Sequence, residues 1–81
     1  MIYKSLSSIK TGEAARIHTL NISGGMRQRL QDIGIIPETK IECLFSSAKD
    51  SIRAYRVRHS TIAIRREDAE RITVVPLGVR I

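Results

Sequence analysis

The sequence predicts a mainly β protein, a small and partly open barrel of five short strands with one short α-helix inserted between strands 1 and 2. Three observations carry this. Apolar and polar residues alternate in several short runs, as on half-buried strands. One run, SGGMRQRLQDIGIIPETKIE at residues 23–42, instead holds a helix start, a helix stop, a turn and a strand in a single stretch. The chain has 81 residues, two prolines and no composition break that would mark a linker, which fits a single domain, 1–81, with one core.

The elements follow in order. Gly12 opens a first strand within residues 13–20, where Ala15 and Ile17 can face the core while Arg16 and His18 face out. Ser23 can accept a hydrogen bond from the unpaired donors of a first helical turn. Met26, Leu30 and Ile33 then recur on one face, predicting an amphipathic helix of about three turns. Gly34 can take the left-handed conformation that stops it. Pro37 disfavours helix at Ile36 and opens a turn, in which a type I geometry spares Glu38 a positive φ. In the second strand, residues 40–45, Ile41, Cys43 and Phe45 alternate with Lys40, Glu42 and Leu44.

The polar run at residues 46–51 reads as a loop, with Asp50 and Ser51 suited to a turn. In the third strand, residues 52–58, Ile52 and Ala54 share one face and Tyr55 and Val57 the other, so a bulge or strong bend is expected there. His59 with Ser60 makes the hairpin turn. Ile62 and Ile64 then alternate with Thr61, Ala63 and Arg65 in a fourth strand. Residues 66–70 give one helical turn at most, and Ile72 and Val74 restore alternation in a fifth strand. Pro76 is expected to end that ladder, leaving a tail at 76–81. Such a set forms a small five-stranded SH3-like barrel. An OB-like barrel is the competitor, but it commonly places its helix later.

Composition narrows the function classes. No secretion-signal core and no apolar run of about 18 residues is present, so a soluble cytoplasmic protein is the simplest reading. The single Cys43 cannot form an intrachain bridge. No phosphate loop, nucleophile elbow or two-histidine helix motif occurs, which argues against an enzyme. Glu67, Asp68 and Glu70 lie beside Arg65, Arg66 and Arg71 and read as helix-end acids with local ion pairs. His18, His59, Cys43, Glu42 and those acids are the available metal ligands, but none has the spacing of a dedicated site, so no cofactor is expected for folding. The net charge of +6 admits a small basic RNA- or DNA-binding barrel as an alternative, with Arg53, Arg56, Arg58, Arg65 and Arg66 as the densest group. Against it, such binders use aromatic platforms, and only Tyr3, Phe45 and Tyr55 are present.

Two blocks carry a family resemblance. Arg27, Arg29, Leu30, Ile33, Gly34, Ile35 and Pro37 form an Arg-x-Arg-Leu-x-x-φ-Gly-φ-x-Pro pattern (φ apolar), and RVRHSTIAIRREDAERI spans residues 56–72. With the opening LSSIKTGEAARI, they resemble the FeoA family of ferrous iron transport proteins over nearly the whole chain. Three positions depart from that pattern: Glu38 and His59 stand where Gly is usual, and Ser51 where Pro is frequent. The resemblance implies an SH3-like fold and an accessory role in bacterial ferrous iron uptake. It further implies contact with the membrane permease FeoB, which carries a cytoplasmic GTP-binding domain, and leaves room for weak iron or other transition metal ion binding. A related module ends the iron-dependent repressors of the DtxR type, whose helix-turn-helix and metal-sensing segments have no counterpart in these residues. The expected partner surface is the exposed helix side, Arg27, Gln28 and Gln31, with the turn Ile35, Ile36 and Pro37. Consecutive Ile35 and Ile36 cannot both point inward there, so one presents apolar surface.

Overall fold

The computed structural model describes residues 2–79, without the side chain of Val79. Its elements are β1 (Lys4–Ser5), a 3-10 turn (Leu6–Ser8), β2 (Glu13–Leu20), α1 (Gly24–Asp32), β3 (Lys40–Ser46), β4 (Ile52–Val57), β5 (Ser60–Arg65), α2 (Arg66–Ala69) and β6 (Ile72–Val79). Six strands form one antiparallel sheet in the order β1-β6-β2-β3-β4-β5. This corrects the expected five-stranded barrel: the described sheet has six strands and stays open, with β1 and β5 as its edges. The additional strand pairs Lys4 with Val74 and Ser5 with Thr73. Two residues are too few to show a period of two, so alternation cannot reveal them. Counting β1, the helix follows the second strand.

The inward faces of the strands make the core, with Ile17, Ile41, Cys43, Tyr55, Val57 and Val74 almost wholly buried. Leu6 from the 3-10 turn and Ala69 from α2 close it at 0% exposure each.

Three register shifts curl the sheet. Ala14 pairs with Gly78 but Ala15 with Pro76, which makes Leu77 an extra residue on β6. Ile17 pairs with Val74 but Thr19 with Thr73, which makes His18 an extra residue on β2. Cys43 pairs with Tyr55 but Phe45 with Ala54, which makes Leu44 an extra residue on β3. The bulge expected on residues 52–58 therefore lies on the partner strand. β4 itself alternates regularly, Arg53, Tyr55 and Val57 inward and Ile52, Ala54 and Arg56 outward. The shift at Leu44 also corrects the placement of Phe45, which leaves the core-facing set and is 61% exposed.

Pro76 does not end the last strand; the ladder runs on through Gly78 and Val79, so the expected tail begins within it, and residues 80–81 lie outside the described part. Two facts make proline acceptable there. It adjoins a bulge, and β1 covers only Thr73 and Val74, so one side of β6 is already an edge at position 76.

α1 ends as its sequence predicts. The Gly34 N–H donates to Gln31 O at 3.0 Å and the Ile35 N–H to Leu30 O at 2.9 Å, the paired bonds of a Schellman motif, with Gly34 at φ 101°. Leu30 and Ile35, the apolar pair of that motif, are both buried. The start differs, because the Ser23 side chain makes no cap bond. Ile33 also departs from its predicted face and is 40% exposed, whereas Leu30 is buried and Met26 partly so.

Two turns carry unexpected strain. Glu38 has φ 78°, and the Thr39 N–H donates to Ile36 O at 3.2 Å, so the turn is type II and not type I. The turn is stitched to β2, the Glu38 N–H donating to Ile17 O and the Ile17 N–H to Thr39 O, each at 2.8 Å. Those bonds oppose a left-handed cost of roughly 1–2 kcal/mol. In the β4–β5 hairpin Val57 pairs with Ser60, leaving Arg58 and His59 as the loop. Arg58, and not His59, takes the positive φ, at 57°.

Helical phasing makes a direct prediction. Leu30→Ala costs about 2–5 kcal/mol in a denaturant titration, whereas Gln28→Ala, which removes only an exposed hydrogen bond to Asp32, is near neutral. Equal losses would mean that α1 packs in a different rotation.

Candidate contact surface

The helix and turn expected to meet a partner lie next to one another, but their side chains have different tasks. Ile35 is fully buried, and Ile36 is the one that presents apolar surface, at 37% exposure, beside exposed Pro37. The Schellman end of α1 and the type II turn fix both positions from either side. Gln28 is exposed and donates from Nε2 to Asp32 Oδ1 at 2.9 Å, and Gln31 is half-buried. Arg27 is exposed as a residue, yet its Nη1 donates to Leu20 O at 2.8 Å and Ile22 O at 3.4 Å. It therefore ties α1 to the end of β2. On the side of α1 turned toward β5, a groove of about 660 Å³ runs between Met26, Leu30 and Ile33 of the helix segment and Ile62, Ala63 and Ile64 of the strand.

The expected arginine group is divided by the fold. Arg53 is not on the surface: it is 7% exposed, on the inward face with Tyr55 and Val57. Its Nη1 donates to Ser7 O at 2.8 Å and Ile9 O at 2.6 Å, while Nε donates to Asp50 Oδ1 at 2.8 Å. Tyr55 is also buried, its hydroxyl 3.5 Å from Leu6 O. The nucleic-acid alternative thus loses one cation and one aromatic platform. Arg66 lies 3.7 Å from Asp50 and 3.9 Å from Glu70, and Arg56, Arg58 and Arg65 remain exposed. The task of Arg53 was readable in the sequence, since it falls in phase with Tyr55 and Val57; charge alone had placed it outside.

The possible metal ligands are dispersed. Among the described residues, no group of three or more His, Cys, Asp or Glu side chains comes together. His18 sits at the β2 bulge, its ring centroid 4.3 Å from that of Tyr3 and its Nδ1 2.7 Å from Thr19 Oγ1. Cys43 is buried in the core, His59 is in the β4–β5 hairpin, and Glu67, Asp68 and Glu70 belong to α2 and its end. Burial pushes the Cys43 thiol and the Tyr55 phenol above their ordinary values of 9.0 and 10.0.

An open, strongly curled antiparallel sheet with a helix between β2 and β3 and an acidic turn before the last strand defines a small SH3-like module, as comparison with solved structures bears out. Stenotrophomonas maltophilia FeoA, described as a procaryotic SH3 domain protein and solved with zinc, superposes with a TM-score of 0.73 at 16% identity, over 86% of this chain and 87% of that one. A manganese-dependent transcriptional repressor shares the fold with a TM-score of 0.85 at 17% identity, over 95% of this chain but only 42% of its own. The FeoA protein of Chlorobium tepidum is similar in sequence as well, with a TM-score of 0.86 and 27% identity over 90% of this chain and 70% of that one. The family model for the FeoA domain matches residues 4–76, and the chain belongs to the FeoA family, which is linked to ferrous iron transport. No curated protein matches the chain.

Two expectations follow from the buried polar groups. Arg53→Met, close in volume, leaves the carbonyls of Ser7 and Ile9 without their donor and costs about 2–4 kcal/mol in a denaturant titration. A loss within the noise would show the guanidinium to be dispensable. The second concerns pH. Because the fold favours neutral Cys43 and Tyr55, the unfolded chain releases these protons first. Their contribution is complete below the unfolded thiol value near 9.0 and declines as pH rises past it, and past 10.0 for the phenol. Denaturation midpoints that fall between pH 8 and pH 10.5 are expected, with a smaller fall in Cys43→Val; a flat profile contradicts the assignment.

Proposed function

We propose that the protein is a non-enzymatic accessory factor of bacterial ferrous iron uptake, acting in the cytoplasm by contact with a FeoB-type permease. The observation that carries this reading is the FeoA domain match across residues 4–76. The Stenotrophomonas neighbour carries a suggested role as a bacterial ferrous iron transport activating factor, which supports the same direction. In this reading iron is the cargo of the pathway, folding requires no cofactor, and weak binding of iron or another transition metal ion is compatible with the role.

The contact is assigned to the end of α1 and the turn after it. Ile36 and Pro37 supply the apolar centre, and Gln28 and Gln31 the polar flank. Arg27 belongs to this surface by position, but its guanidinium already serves Leu20 O and Ile22 O, so its substitution would confound binding with folding. A triple variant, Gln28→Ala, Gln31→Ala and Ile36→Ser, spares those bonds. It is expected to keep its unfolding transition and to lose about tenfold or more in affinity for the permease's cytoplasmic domain, measured by calorimetry, with a matching loss of iron uptake in cells. Full affinity in a folded variant would remove this surface from the interface.

A further inference from the structure

The bulge at Leu44 has an effect that the permease contact does not use. It turns Phe45, the chain's one phenylalanine, to the outer face of the sheet, where it is 61% exposed. Its cross-strand partner Ala54 lies two residues from Ile52, which shares that face and is 47% exposed. Ile52 is in turn paired with exposed Arg65. Farther along the same face come Arg56, opposite Glu42, and Lys40, opposite Arg16. Lys40, Glu42, Arg56 and Arg58 surround a shallow depression of about 220 Å³. One face therefore carries an aromatic and an aliphatic side chain at one end and a group of cations at the other.

The arrangement works against stability. Arg16 and Lys40 stand directly opposite each other, and like charges in that position are destabilising. Among the described residues neither makes a salt bridge, whereas Arg56 stands opposite the carboxylate of Glu42. A row of Arg16, Lys40, Arg56 and Arg58 that holds the one carboxylate of Glu42 keeps an excess of positive charge beside a projecting phenylalanine, a combination suited to a partner that meets both.

We propose that this outer face of β2, β3 and β4 is a docking surface for an anionic lipid bilayer. The cations lie against acidic headgroups while Phe45 and Ile52 enter the boundary between headgroups and acyl chains. The surface adjoins the permease contact at Arg58, beside Gly34, but Phe45, Ile52, Lys40 and Arg56 are no part of that contact. A second copy of the chain is a poor occupant, because self-association through this face sets cation against cation. An added peptide strand needs a free edge, and β3 and β4 are interior strands with both sides paired. Nucleic acid leaves the exposed Ile52 without a partner and finds a single aromatic platform. The face is shallow and its apolar side chains project outward, as insertion into a bilayer requires.

Flotation of the whole chain with vesicles tests this, comparing pure phosphatidylcholine with phosphatidylcholine containing about one third phosphatidylglycerol. Binding to the anionic vesicles alone is expected, with loss on raising the salt concentration. The double variant Lys40→Gln and Arg56→Gln is expected to bind about 25-fold more weakly, near fivefold for each cation. Phe45→Ser is expected to bind about tenfold more weakly. All are solvent-facing changes, and unaltered thermal transitions confirm that the variants are folded. No binding to anionic vesicles, or binding unchanged in both variants, overturns the proposal. Binding of a poly-glutamate peptide with the same dependence on Lys40, Arg56 and Phe45, in the absence of vesicle binding, also overturns it and gives the face to an acidic protein segment. Vesicle binding by the triple variant of the permease contact keeps the two surfaces distinguishable.

Discussion

The guanidinium of Arg53 lies among nearly dry neighbours, and the curl of the sheet can be followed outward from it. An open six-stranded sheet leaves one of its ends, β1 and the 3-10 turn, to find its own cover. That turn brings the carbonyls of Ser7 and Ile9 inward, where an unpaired acceptor would be costly. Arg53 reaches both from β4 and is oriented from behind by Asp50. One side chain thus joins the N-terminal segment to the far half of the sheet, over 44 residues or more of chain. Leu6 and Tyr55 meet across the same join, so the polar tie and the apolar seal coincide.

What the sequence made legible follows from how many residues each signal spans. β2 to β6 run over six to eight residues each, long enough for alternation to show. The Schellman end of α1 was readable because Gly34 and the flanking Leu30 and Ile35 are all local. β1 has two residues and the 3-10 turn three, and their stability comes from β6, Arg53 and the core. No local pattern reports such long-range support. Pro76 shows the same limit from the other side. A proline within a strand reads as a stop, and only the neighbouring bulge and the shortness of β1 make it tolerable.

The bulges set which side chains face outward, and so they set the surfaces. A single extra residue reverses the phase of everything beyond it. At Leu44 this converts Phe45 from an expected core residue into the most exposed aromatic among the described residues, while the regular alternation of β4 takes Arg53 from an expected surface group into the interior. The two reassignments exchange an aromatic for a cation between inside and outside. Composition is blind to the exchange, because net charge and aromatic content stay the same. The turn after α1 was easier to read, since it depends on the adjacent pair Ile35 and Ile36 and not on register. There the structure decides only which of the two points outward.

Three non-glycine residues hold left-handed backbone angles, Asp50 in the loop between β3 and β4 and two others, Glu38 and Arg58, in the turns that flank β3 and β4. Glu38 lies in the turn that follows α1 and Arg58 reaches Gly34 at its end, and glycine would adopt either backbone angle more cheaply. Arg58 comes so near Gly34 that a Cβ there would stand 3.3 Å from its Cδ and Nε. The left-handed Gly34 thus serves two purposes, ending the helix and leaving room for the arginine. Glu38 bonds through its backbone to Ile17, which fixes the height of Ile36 and Pro37 above β2. Strained positions persist where the surrounding structure over-determines them, and they cluster at sites that must be presented in one geometry. Here the over-determination comes from the β2 ladder on one side and the Schellman bonds on the other. The apolar turn they enclose is held too firmly to collapse onto the core, which accounts for how Ile36 stays outward while Ile35, one residue before it, is wholly buried.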